Sequence, residues 1–175
     1  MIDFNRPQSN LSIAVLVSLL FAFCVAVIPW EQVHGTTFVD REVYFSLFNA
    51  PPEVPISFEI ISLLAYVVNE QLWNQSVRWL NTGLGMSLPE IFGVITFAST
   101  FSYAFFVSSR IGPLAILLLV NPLLIDLAYS QLRMSLAMVF LLGAYSCRKP
   151  LLVVLLATIA CMLHTASFLF IFMIF

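Results

Sequence analysis

No Asp, Glu, Lys or Arg occurs between Leu11 and Trp30, between Ile91 and Ser109, or between Pro150 and Phe175. Spanning a hydrocarbon layer of about 30 Å takes roughly 20 helical residues, and each of these stretches is long enough. Backbone in lipid must satisfy its own hydrogen bonds, which makes helices the expected form. The chain has 175 residues, 61% of them apolar and 9% charged, whereas a soluble domain is nearer half apolar and a quarter charged. The sequence therefore predicts an all-α integral membrane protein of about five transmembrane helices. Its net charge of −2 and the absence of any basic run exclude a nucleic-acid footprint.

The first helix is expected over Leu11–Trp30 and is read as uncleaved. A single Arg6 precedes it, its apolar run exceeds that of a signal peptide, and no A-x-A site follows. Further spans are expected over 88–107, 113–127, 132–146 and 150–173, with a long outer loop over 31–87. Ser87-Leu88-Pro89-Glu90 reads as a capping box. The three cysteines, Cys24, Cys147 and Cys161, sit in or beside apolar runs at unrelated spacings, giving neither a disulfide framework nor a zinc site.

Arg110 and Arg148-Lys149 flank a nearly continuous apolar stretch. Keeping both clusters in the cytoplasm requires an even number of crossings between them, hence a hairpin, Pro113–Leu127 outward and Leu132–Ser146 back. Asn121-Pro122 predicts a kink or break in its first arm. The same rule puts the N-terminus in the cytoplasm and Glu31–Ser87 outside. Within that segment Ile60, Leu63, Leu64, Val67 and Leu72 mark one helical face, opposed by Glu59, Ser62, Asn69 and Glu70, which predicts a helix lying in the outer interface.

Asp126, Arg133 and His164 are ionisable groups in apolar surroundings, where such residues face a cavity or a partner. Arg133 lies as many positions before Arg148 as His164 lies after Lys149. Antiparallel helices joined at that turn would hold the two level, about 22 Å above it at 1.5 Å per residue. Asp126 would reach the same outer-leaflet layer from the other side of the hairpin tip. In the plainer alternative, an Asp126–Arg133 ion pair pins the hairpin and His164 is a packed core residue. In the outer loop, Asp40-Arg41-Glu42 precedes Tyr44.

The stretch D-L-A-Y-S-Q-L-R-M-S-L-A-M-V-F from Asp126, with C-M-L-H-T-A-S-F-L from Cys161, resembles the EpsG-like, Wzy-type polysaccharide polymerases. Their arginine-alanine and histidine-serine patterns fall on Arg133, Ala137, His164 and Ser167. Asp40 and Tyr44 match the family's outer-loop D…Y pattern. Phe58-Glu59 stands where members often carry E-P-G-F, although Ile60-Ile61 follows Glu59 here. The resemblance covers this chain as the N-terminal half of such proteins, so a piece of a longer polytopic protein is expected. It implies a fold like that of C-type glycosyltransferases, in the bacterial inner membrane. The implied activity is polymerisation of undecaprenyl-pyrophosphate-linked oligosaccharide repeats for exopolysaccharide, capsule or O-antigen, alongside other polysaccharide-assembly membrane proteins. Arg133 would hold the pyrophosphate with His164, and Asp40 or Glu59 would be the base. Asp126, Arg41 and Tyr44 complete the expected substrate contacts. No cofactor or metal is expected. Half of a transporter or flippase, or a scaffold without chemistry, are the competing readings.

Overall fold

The computed structural model describes residues 10–35, 37–49 and 70–174, and these form helices and their connections with no strand. The helices are α1 (Leu11–Val27), α2 (Trp30–His34), α3 (Val39–Asn49), α4 (Gln71–Gly83), α5 (Leu88–Arg110), α6 (Pro122–Tyr129), α7 (Leu132–Ser146), α8 (Pro150–Leu163) and α9 (Ser167–Ile174), with a 3₁₀ helix over Pro113–Leu119. Glu59 and most of the expected interfacial helix lie outside the described residues.

Local sequence explains several boundaries. Asn10 accepts the Ser12 amide at 3.0 Å and starts α1; Glu90 reaches back to the Ser87 amide at 2.7 Å at the start of α5. Asn121 accepts the Leu123 amide at 2.9 Å with Pro122 in the first helical position, so Asn121-Pro122 opens a new helix. Gly112 turns the chain out of α5 at φ 135°, a conformation open to glycine alone.

Only α5, with 23 residues, is by itself long and apolar enough among the described helices to cross a membrane. The helices α6 and α7 would qualify jointly but meet at a bend of 101°. The expected first arm is broken at Asn121-Pro122 into the 3₁₀ helix and α6, as that pair predicts, and the return arm is α7 with the expected bounds, but α6 and α7 are not antiparallel as a simple hairpin requires. The final run is likewise interrupted, since His164 adopts φ −152°, ψ 118° between α8 and α9.

The helix α1 packs along α5 through small residues. Ala14, Ser18 and Ala22 are fully buried at four-residue spacing, and Ser18 Oγ lies 3.1 Å from Ser108 Oγ. Small side chains let helix backbones approach closely. Large apolar side chains point outward instead, with Phe23 60%, Leu114 80% and Leu151 83% exposed. Tyr103 donates to the Ser135 carbonyl at 2.5 Å, and Arg110 Nη2 donates to Ser146 Oγ at 2.9 Å. These contacts run α5 and α7 side by side in the same direction and bring Arg110 to the end of the bundle that carries the Arg148-Lys149 turn. At the opposite end, Tyr44 and Trp73 from α3 and α4 join Ile91 and Phe92 of α5, Leu132 of α7 and Leu163 of α8 in one core.

Candidate functional site

The site forms where α3, α4, α7 and the α8–α9 break meet. Glu70 immediately precedes α4 and is the one non-glycine residue with positive φ among the described residues, at φ 52°, ψ 41°. This left-handed conformation sends its carboxylate away from its own helix, whose first turn it leaves without a side-chain cap. One carboxylate oxygen, Oε2, is ion-paired to Arg133 Nη1; the other, Oε1, meets His164 Nδ1. The Thr165 backbone N–H donates to Oε1 at 3.2 Å, which the helix break at His164 makes possible by releasing that amide from the helical pattern. Arg133 Nε donates to the Tyr44 hydroxyl at 3.2 Å, and its guanidinium carbon lies 5.3 Å from the centre of the Tyr44 ring.

Burial alone would push the Glu70 carboxyl up, but the hydrogen bond from His164, the Arg133 charge and the Thr165 amide together hold it below the ordinary carboxylate range. Burial pushes the Tyr44 phenol up against the opposing pull of Arg133. The Glu70 side chain is 7% exposed, whereas those of Arg133 and His164 are 33% and 25% exposed. The two cationic or potentially cationic groups thus present an accessible side, with the carboxylate tucked beneath them.

Arg133 and His164 are therefore brought together, through a residue that sequence reasoning assigned to the polar face of an interfacial helix. Glu70 was overlooked because the apolar pattern was read continuously through Leu72. The helix α4 begins at Gln71, and the spacing of the buried Trp73 and Val77 is the signal that Glu70 stands just before a helix start.

Asp126 does not join them. Gln131 Nε2 donates to its Oδ2 at 3.1 Å, and the alternative Asp126–Arg133 ion pair is not formed among the described residues. The helices α6 and α7 meet at 101° rather than antiparallel, so equal counts from their turn do not set the two residues facing each other. Asp126 instead lines a groove of about 600 Å³ with Asp40, Trp30, Phe38 and Leu123. Asp40 is exposed in the first turn of α3. Arg41 sits inside the protein, 8% exposed, with its guanidinium 4.0 Å from the Tyr129 ring centre and 5.7 Å from that of Phe92. Such stacking is worth about 0.5–2 kcal/mol. Its Nη1 has no hydrogen-bond partner among the described residues. Glu59 lies outside them. Among the described residues no three His, Cys, Asp or Glu side chains converge as a metal site.

No family model, curated protein or solved structure matches this chain.

Proposed function

We propose that this chain is the N-terminal part of a multi-pass bacterial inner-membrane polymerase that joins undecaprenyl-pyrophosphate-linked oligosaccharide repeats. The observation that carries the reading is the convergence of Arg133 and His164, from separate segments of the family-like stretch, on one partly exposed polar node beside Tyr44. An arginine fork suits phosphate oxygens.

In the proposed reaction an acceptor sugar hydroxyl attacks the anomeric carbon of the lipid-linked donor. The new glycosidic C–O bond forms as the bond from the anomeric carbon to pyrophosphate breaks, and the lipid pyrophosphate departs with the electron pair. The hydroxyl proton passes to a carboxylate, for which Asp40 and Glu59 are the candidates. Arg133 and His164 steady the charge on the leaving group, the type of preorganised electrostatic help that dominates many enzymes. The membrane part of the proposal rests on the outward-facing Phe23, Leu114 and Leu151 and on the small-residue seam between α1 and α5. The five spans would then be α1, α5, the 113–129 segment, α7 and the broken pair α8–α9, crossing with an N-terminus in the cytoplasm.

Half of a transporter or flippase is a second reading, supported by the helix break at His164 and the bend between α6 and α7, since interrupted helices line many transport sites. The deciding experiment places Arg133→Ala in the longest in-frame version of the protein and measures the length of lipid-linked glycan chromatographically. Loss of polymer with unchanged membrane content supports the polymerase. Single repeat units accumulating on the cytoplasmic side would favour the flippase.

A further inference from the structure

Glu70 sits between two anchorages and uses one. Its carboxylate holds Arg133 and His164. Directly behind it, the first turn of α4 starts without a side-chain cap, so the amides at its N-terminus lack intrahelical acceptors and carry partial positive charge. Moving the carboxylate onto those amides takes a return of the Glu70 backbone from the left-handed to the extended region together with a side-chain rotation, because a residue that caps a helix N-terminus has extended backbone angles. The left-handed backbone of Glu70 is unfavourable for a residue with a side chain and is held in place by the contacts the carboxylate makes.

The exposures set the direction of approach. The buried partner is the carboxylate, and the two groups it occupies are each partly exposed. An incoming anion meets Arg133 and His164 from their open side and competes with Glu70 from beneath. A diphosphate carries more charge than a carboxylate and can engage the planar guanidinium bidentately, so it has the means to win that competition.

We propose that the Glu70 carboxylate is an internal occupant of an anion site built by Arg133 and His164, displaced by a diphosphate-class anion and received by the N-terminus of α4. The choice of diphosphate rests on the polymerase reading; the occupancy itself rests on the geometry. Glu70 then sets the threshold for binding. The site stays closed by its own carboxylate, and only a polyvalent anion opens it.

The test is calorimetric titration of inorganic pyrophosphate into the purified chain in detergent micelles, for the unaltered protein, Glu70→Gln, Glu70→Asp, Arg133→Ala and the Glu70→Gln/Arg133→Ala pair. Helical content by circular dichroism is matched first, and Glu70→Asp, which keeps the charge but shortens the reach, serves if Gln disturbs the fold. If the occupied state holds 90% or more of the molecules, its removal tightens apparent binding roughly tenfold or more. The expected order of affinity is Glu70→Gln, then Glu70→Asp, then the unaltered chain, with both Arg133→Ala proteins weakest. Equal or weaker binding by Glu70→Gln and Glu70→Asp overturns the internal occupant. If Arg133→Ala still abolishes binding in that case, the polymerase reading stands without it. Pyrophosphate affinity indifferent to Arg133→Ala overturns both.

Discussion

The Tyr44 hydroxyl accepts a hydrogen bond from Arg133 Nε at 3.2 Å, across 89 positions of sequence. The phenol therefore fixes the edge of the guanidinium while Glu70 holds Nη1, and the orientation of the fork depends on α3 as well as on α7. Tyr44 is itself wedged against Trp73 at 5.6 Å and Phe92 at 6.0 Å between ring centres. Tyr44→Phe keeps that packing and removes only the acceptor. It is expected to cost about 1 kcal/mol of stability, read as a lower thermal midpoint in detergent, and to shorten polymer without abolishing it. Wild-type chain length in this variant would show that Arg133 needs no such support.

On the polymerase reading, Arg133→Ala in the longest in-frame version of the protein should abolish polymer, while Arg133→Lys should restore it in part. A lysine supplies the charge but not the two-pronged donor geometry, nor the bond to Tyr44 from the position of Nε. Glycan gels of cells carrying each variant check this; full rescue by Lys would mean that charge alone is required.

Glu70 predicts an acid limit to stability. Its folded-state carboxyl titrates below the ordinary range, so the stabilisation is fully present above the unfolded value, about 4.3, and is lost as pH falls through the depressed folded value. Thermal midpoints measured from about pH 6 down to about pH 3 should fall less steeply for Glu70→Gln than for the unaltered chain. Parallel curves would show that the ion pairs contribute nothing to folding.

Ser18→Leu should disrupt the seam between α1 and α5, because Ser18 is fully buried and its Oγ lies 3.1 Å from that of Ser108. Overfilling such a contact costs about 1–3 kcal/mol, measurable as a lower midpoint in denaturing-detergent titration. Ser18→Ala, which loses the hydrogen bonds but keeps the close approach, should cost less.

The proposed orientation has its own check. In a chain whose cysteines are replaced by alanine, a Cys placed at Asn49 should react with an impermeant thiol reagent from outside, and one at Lys149 should not. The reverse pattern would invert the orientation.

How much could be read from the sequence differs sharply between parts of the molecule. The helix α5 was legible because its cap and its arginine end are local signals. The meeting of Arg133 and His164 followed from counting outward along α7 and α8, which do join at a short turn. That Asp126 pairs with Gln131 and not with Arg133 was not legible, because the counting assumed antiparallel helices where a 101° bend exists, and bend angles leave no local trace in composition. Glu70 was missed for a related reason. Its role depends on a left-handed backbone angle that only tertiary contacts hold in place. The Ser18–Ser108 seam could have been found, since Ala14, Ser18 and Ala22 recur every four residues; small residues in a hydrophobic run simply look unremarkable beside Leu and Phe.

The amide of Thr165, released where α8 ends, is a main-chain donor to Glu70 at 3.2 Å. Evolution can therefore exchange the side chain at position 165 for almost any other without removing this contact, and only proline, which has no N–H, deletes it. An inventory built from side chains alone would consequently count Arg133 and His164 and miss the third donor that grips the carboxylate.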